Sequence, residues 1–157
     1  MTEGENARLI AWSHELRSVH ARLRAALQAT RDALDDGEPT QDATRDLLLY
    51  CHGFCTALTE HHVGEERLLF PAIAKAHPEL ADTLRYLSQD HSMIDHLVRG
   101  LQDATQRAAP RSEIDRHLEG IAAIMESHFG YEERQLLSVL DTLALEADPH
   151  DVLGPLR

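Results

Sequence analysis

The sequence contains one pattern of histidine and glutamate twice. The stretch HHVGEERLLF begins at His61, and the stretch HFGYEERQLL begins at His128. Stacked without a gap, they place His61 over His128 and Glu65 over Glu132. On a helix, residues i and i+4 differ by about 40° in direction and about 6 Å in height. Each stretch can therefore direct an imidazole and a carboxylate toward one point.

A further histidine precedes each of these stretches in matching surroundings. His20 lies in LRSVHARLRAAL and His91 lies in LSQDHSMIDHLV, where the apolar residues around them align. The chain therefore reads as two helical hairpins of one pattern, facing each other with approximate two-fold symmetry. The repeated set is His20, His61 and Glu65, followed by His91, His128 and Glu132.

The elements that would position this set are helices. Apolar residues recur at three- and four-residue spacing between marks of Gly and Pro, and no segment has the pattern of a strand. Four long helices with short connections predict an all-α, up-down-up-down four-helix bundle in a single domain, residues 1–157. Pro71 should bend or interrupt the second helix. The predicted helices span about 6–35, 40–76, 79–108 and 112–146, so the bundle covers about 6–146 and leaves an irregular tail at 147–157.

Such a bundle would bring four imidazole nitrogens and two carboxylates to its centre. Two bare carboxylates cannot share a buried site, because desolvation and mutual repulsion would force at least one to take up a proton. Divalent cations remove that conflict. Two metals, each with two imidazoles and both spanned by the two carboxylates, would form a nearly symmetric centre. The mixture of nitrogen and oxygen donors favours iron over manganese or zinc.

These residues give the chain a family resemblance. It resembles the hemerythrin-like, or HHE cation-binding, domains over about residues 10–140. The resemblance rests on His20, on His61-x3-Glu65 followed by LLFP, on His91, and on His128-x3-Glu132. It implies a four-helix bundle that holds two iron ions in an oxo- or hydroxo-bridged non-heme centre, which reacts with dioxygen or related small molecules.

The two consecutive histidines leave two registers open. The pair is either His61 with Glu65 or His62 with Glu66. The second stretch favours the first register, because Phe129 stands there in the place of His62. We therefore expect His62 to be a hydrogen-bonded or surface residue rather than a ligand.

The chain departs from the oxygen-carrying hemerythrins that it resembles. Those carriers have a fifth histidine four residues after the first one of the third helix, where this chain has Asp95. Asp95 is either a seventh, oxygen ligand or the partner of Arg24 across the bundle, and we favour the pair. Fewer imidazoles leave metal coordination positions open to substrates. The departure therefore favours redox chemistry over reversible oxygen storage.

Two polar side chains are predicted near one end of the bundle. Tyr50 and His117 each precede the ligand histidine of their helix by eleven residues, about 16 Å along the axis. We expect an end-of-bundle hydrogen bond, with a polar entry channel or a proton relay as the alternative. An apolar layer that would pass a diatomic gas or peroxide should separate them from the metals: Leu23, Leu27, Phe54, Ala57, Ile94, Val98, Ile121 and Met125.

The charge excludes some classes of partner. Fifteen basic and 27 acidic residues give a net charge of −12, which disfavours nucleic acid and anionic membranes. The first residues are acidic and lack the apolar core of a secretory signal, and no apolar run approaches the roughly 18 residues of a membrane span. We therefore expect a cytoplasmic protein with small-molecule partners.

Three functions remain. We predict a non-heme di-iron protein that acts as a redox enzyme on dioxygen, peroxide, nitric oxide or an organic substrate, either as an oxidase or oxygenase or in peroxide or nitric oxide detoxification. The alternative is a module that binds or senses oxygen or iron without turnover. The length leaves no room for an attached output domain, which argues against a sensor. The third is a helical bundle without metal.

Overall fold

The computed structural model describes residues 10–35 and 41–157. Its long helices are α1 (Trp12–Asp35), α2 (Gln41–Gly64), α4 (Ala81–Gln106) and α5 (Arg111–Leu140), and its short helices are α3 (Phe70–Ala76) and α6 (Pro149–Leu153). The predicted helix starts near residues 6 and 40 lie outside the described residues.

The four long helices form the predicted all-α bundle. α1 contacts α2 and α5, and α4 also contacts α2 and α5, so each long helix has two long neighbours around a common interior. The described residues contain no strand. The apolar residues at three- and four-residue spacing face that interior, and all eight side chains of the predicted apolar layer are buried. The interior is therefore continuous from that layer to the centre of the bundle.

The second predicted helix is interrupted before Pro71, as expected. α2 ends at Gly64, and Glu65–Leu69 form one turn of π-helix before α3 begins. The N–H of Phe70 donates to the carbonyl of Glu65, five residues back instead of four. Proline has no N–H, and its ring collides with the carbonyl four residues earlier, so the wider turn relieves the conflict. Glu65 thereby becomes the first residue of the π-turn.

The C-terminal part differs from the prediction in two ways. The fourth long helix ends at Leu140 rather than near residue 146, and the predicted irregular tail contains the helix α6. The indole N–H of Trp12 donates to the carbonyl of Leu145 at 3.1 Å, which fixes the chain after α5. The side chain of Asp148 accepts a hydrogen bond from the N–H of His150 and caps α6.

α6 lies directly on the bundle. It contacts α1, α2 and the π-turn, and its residues Val152 and Leu153 are fully buried. The approach is so close that a Cβ on Gly64 would lie 2.3 Å from the carbonyl oxygen of Val152. Gly154, with φ of 93°, ends α6 in a conformation that other residues rarely adopt. The last residues therefore belong to the packed structure.

None of the helices in the described part of the chain is both long enough and apolar enough to cross a membrane.

Candidate metal centre

The six predicted ligand side chains meet in the middle of the bundle. All are buried, and the most exposed of them, His91, has only 6% of its surface accessible. They come from every long helix and from the π-turn. The set is His20 on α1, His61 on α2, Glu65 in the π-turn, His91 on α4, and His128 and Glu132 on α5.

The carboxylate of Glu65 lies between two imidazoles from different helices. Its Oε1 is 3.3 Å from Nε2 of His61 and 3.4 Å from Nε2 of His91. His61 belongs to α2 and His91 to α4, so this oxygen faces both hairpins. A carboxylate in this position can span two cations.

Glu132 occupies the equivalent place on the opposite side. Its Oε2 is 3.2 Å from Nε2 of His128 and 3.8 Å from Nε2 of His20. The Nε2 atoms of His91 and His128 are 3.1 Å apart. All four imidazoles therefore present Nε2 to the pair of carboxylates, which is the arrangement that the repeated sequence pattern predicts.

Two of the imidazoles are oriented by carboxylates that contact their Nδ1 atoms. Nδ1 of His91 is 2.7 Å from Glu66 Oε1, and the hydroxyl of Ser88 donates to the other oxygen of Glu66 at 2.9 Å. Nδ1 of His128 is 3.0 Å from Asp90 Oδ2. A histidine that donates from Nδ1 to a carboxylate keeps Nε2 free as an electron-pair donor, and this pairing is typical of histidines that bind metals.

The other two imidazoles have related partners. Nδ1 of His61 donates to the carbonyl of Leu153 in α6 at 2.9 Å. Nδ1 of His20 lies 3.7 Å from Glu133 Oε2, an ion-pair distance rather than a hydrogen bond. The C-terminal segment thus contributes directly to the orientation of one predicted ligand.

The inner atoms of the cluster have no hydrogen-bond partners within the described chain. They comprise both carboxylate oxygens of Glu65 and of Glu132, and Nε2 of His20 and of His61. A buried polar atom without a partner costs about 1–3 kcal/mol, and more when it is charged. Cations placed among these atoms would satisfy them together.

The pKa values of the two central carboxylates shift in opposite directions. Burial and the nearby charge of Glu132 raise the pKa of Glu65 well above its usual value. Burial also acts to raise the pKa of Glu132, but close polar contacts with Glu65 and His128 and the charge of His20 outweigh it and lower that pKa. The raised pKa favours the protonated form of Glu65, and a cation that binds there would have to displace that proton.

The imidazoles also respond to burial. Burial, reinforced by the neighbouring His20, lowers the pKa of His61 to about 3. Burial by itself lowers the pKa of His128, but its contacts with Glu132 and Asp90 raise it above the usual value overall. His61 is thus neutral, as a metal ligand must be, over the whole physiological range.

His62 does not occupy the predicted surface or hydrogen-bonded position. It is 6% exposed, and its Nε2 is buried without a hydrogen-bond partner. Its ring stacks on His91, with 3.9 Å between the ring centroids. The prediction was wrong because His61 and His62 point about 100° apart on α2 and both directions are interior, one toward α1 and the other toward α4.

The prediction for Asp95 and Arg24 is also wrong. Asp95 pairs with Arg99 at 3.0 Å, one turn further along α4 and not across the bundle. Arg24 pairs instead with Glu126 and Glu133 on α5. Asp95 belongs to neither of the donor groups that the described residues form, so the structure does not place it as a seventh ligand.

Tyr50 and His117 do not meet at the end of the bundle. Tyr50 is half exposed and lies beside Asp46 and residues of α1. The His117 ring lies against Gly100 of α4. Among the described residues neither side chain hydrogen-bonds to the other or to one of the six predicted ligands.

The approach to the centre lies on the side of the bundle. A cavity of about 390 Å³ opens between α2 and α4 and reaches His62 and His91. Leu58, Ile94 and Val98 form apolar parts of its wall. The cavity therefore offers a small molecule an approach to the His91 half of the cluster from the side of the bundle.

Some supporting residues were visible in the sequence but were not recognised. Glu66 and Glu133 each follow a central glutamate by one residue, and each faces the Nδ1 atom of a histidine in the opposite hairpin. Their repeated position was the signal. Asp90 has no equivalent in the first hairpin, and the Leu153 acceptor is a backbone carbonyl, so neither left a pattern to read.

The fold and the site together define a helical-bundle protein with a buried group of histidines and carboxylates suited to cations. The family model of the hemerythrin HHE cation-binding domain matches residues 13–140, most of the chain. The chain belongs to this family. Comparisons with curated proteins and with solved structures gave no significant match.

A measurable consequence of the buried histidines is a stability that depends on pH. The pKa of His61 is about 3 in the folded protein, against 6.5 ordinarily. Between these values the unfolded chain binds a proton that the folded protein does not, so the free energy of unfolding decreases as the pH falls. For metal-free protein we expect His61 to contribute a loss on the order of 1.4 kcal/mol per pH unit below about pH 6, measurable by guanidinium unfolding.

A His61→Gln variant isolates this contribution. The raised pKa of Glu65 acts in the opposite direction, since the folded protein binds that proton and the unfolded chain does not, while the lowered pKa of His62 adds to the effect. Between about pH 6 and pH 4 the slope for the variant should be smaller by the equivalent of about one proton. Equal slopes for the two proteins would show that His61 titrates normally.

Proposed function

We propose that this protein is a non-heme di-iron protein that reacts with dioxygen, peroxide or nitric oxide as a redox enzyme. The observation that carries the proposal is the convergence of four imidazole Nε2 atoms on two buried carboxylates whose oxygens have no partner in the described chain. In this proposal His20 and His61 would hold one iron, His91 and His128 would hold the other, and Glu65 and Glu132 would supply carboxylate ligands.

The donor set supports iron over other cations. Imidazole suits iron, copper, nickel and zinc, whereas carboxylate oxygens suit harder cations, and iron accepts both. The thiols of Cys51 and Cys55 are not among the donors, and burial raises their pKa to about 11 and about 12. The centre therefore has no thiolate ligand that would favour softer metals.

The protein would provide orientation and a protected environment, while bound iron would supply electron transfer to the small molecule. Glu66, Asp90 and the Leu153 carbonyl hold their imidazoles with Nε2 directed inward. The apolar residues around the cluster exclude bulk water. The raised pKa of Glu65 favours its protonated form, so loading should be coupled to proton release.

The side cavity supports a small reactant. At about 390 Å³ it is near the lower end of the range for ligand pockets, and its wall combines apolar side chains with His62, His91 and a few polar groups. Six ligands shared by two metals leave coordination positions free. A molecule that enters between α2 and α4 would meet the His91 half of the centre first.

The proposal is tested by reducing iron-loaded protein without air and then adding oxygen or peroxide. We expect rapid return to the oxidised spectrum and repeated consumption of the oxidant when reductant is supplied. The His61→Ala variant, treated in the same way, should not consume it. A spectrum that appears with oxygen and reverses when oxygen is removed, without consumption, would support the binding or sensing module instead.

A further inference from the structure

We propose that His62 is a fifth histidine ligand of this centre, at the same metal position as His91 and His128. The inference rests on the proposed function, because it requires that the cluster holds two irons. It adds a residue outside the repeated pattern of ligands. The centre would then have three imidazoles at one metal and two at the other.

The first observation is the unmet hydrogen-bonding capacity of His62. Its side chain is more than nine-tenths buried, and its Nε2 lacks a partner among the described residues. Buried imidazoles that serve only as packing normally satisfy their nitrogens with hydrogen bonds.

The second observation is the position of the ring relative to other donors. One ligand atom from each of His62, Glu65, His91 and His128 lies within 4.8 Å of all the others. Ligand atoms about 2.1 Å from one metal lie at most about 4.2 Å apart. Small adjustments of these side chains would therefore place all four around one cation.

The third observation comes from the internal repeat. Phe129, the counterpart of His62, stacks on His20 with 3.8 Å between centroids, just as His62 stacks on His91 at 3.9 Å. A phenyl ring performs the stacking in the second hairpin without burying a polar nitrogen. The imidazole in the first hairpin has a use that stacking does not explain, and the adjacent donors identify that use as metal binding.

The consequence is a centre with two unequal metal positions. The position of His91 and His128 gains a third imidazole, while that of His20 and His61 keeps two. The second position therefore retains more free coordination sites. The approximate two-fold symmetry of the protein would be broken at the metals by a single residue.

The His62→Phe variant tests this directly, because it copies the residue of the second hairpin and preserves stacking on His91. Both proteins are loaded with the Mössbauer-active isotope of iron. The unmodified protein should give two resolved quadrupole doublets of equal area, and the variant should give doublets that nearly coincide. In a challenge with a chelator, the variant should also release one of its two irons about tenfold faster or more.

The outcomes separate the two proposals. Two irons in the unmodified protein, with spectra and release rates that His62→Phe leaves unchanged, would overturn the role of His62 and leave the di-iron proposal standing. Fewer than two irons in the unmodified protein would overturn both. The His62→Gln variant, which lacks the imidazole but keeps a polar side chain, should reproduce the changes and covers the case in which the larger ring perturbs folding.

Discussion

Replacing either His61 or Glu132 with alanine should abolish stoichiometric iron binding. The His61 ring supplies an Nε2 that faces Glu65, and Glu132 is the carboxylate that lies between His20 and His128. Loss of such a ligand should reduce iron affinity by more than about tenfold. Changing a residue that only supports a ligand already lowers metal affinity by about 10–100-fold. Iron analysis after gel filtration measures the effect against about two irons per chain in the unmodified protein.

His96→Ala is the matched control for these variants. His96 lies on α4 five residues after His91, but its side chain is exposed. His14→Ala on α1 is a second exposed control. Both proteins should keep their full iron content, and circular dichroism should show the same helicity in all variants. Undiminished iron in His61→Ala or Glu132→Ala would mean that the metals are held elsewhere.

Gly64→Ala should destabilise the protein strongly. The added methyl would lie 2.3 Å from the Val152 carbonyl oxygen and 2.7 Å from its carbonyl carbon, and both are backbone atoms of α6. Relief requires a shift of α2 or release of α6, and overpacking of this kind costs about 1–3 kcal/mol or more. Denaturant unfolding of the metal-free protein measures the loss.

Gly120→Ala should have the opposite effect on stability. Gly120 lies within α5, and a Cβ there would meet nothing within 4 Å. Alanine in a helix interior is favoured over glycine by about 0.5–1 kcal/mol, so this variant should be stabilised. A Gly64→Ala protein as stable as Gly120→Ala would contradict the close contact between α2 and α6.

The Gly64→Ala variant also connects the C-terminal segment with the metal centre. α6 carries the Leu153 carbonyl that accepts the hydrogen bond from His61, and the carbonyl of Leu156 accepts one from Arg22 of α1. If α6 is displaced, the His61 ring loses its orientation. Iron should then be released faster from Gly64→Ala than from Gly120→Ala.

The repeated pattern predicted the six convergent side chains because helix periodicity is a local rule. His61 and Glu65 are four residues apart, and so are His128 and Glu132, so each pair shares a face whatever surrounds the helix. The apolar spacing likewise predicted the bundle, and Pro71 predicted the interruption of the second long helix. In each case the information lies within a few residues of sequence.

The predictions that were wrong or incomplete concern packing between residues that are distant in the sequence. His62 is buried because α1 and α4 both pack against α2. The sequence of α2 alone does not show that both of these sides are covered. Leu153 supports His61 through a backbone carbonyl, and a carbonyl carries no side-chain signal. Asp95 was matched to Arg24 across the bundle, although the ordinary i,i+4 partner, Arg99, was nearer.

The most direct test of the central claim is anomalous diffraction from crystals of the iron-loaded protein at the iron absorption edge. We expect two peaks about 3.5–4 Å apart in the middle of the bundle. One should lie within bonding distance of Nε2 of His20 and His61, and the other within bonding distance of Nε2 of His91 and His128. Iron peaks only at the protein surface, or no peak among these side chains, would contradict the claim that the buried cluster binds two irons.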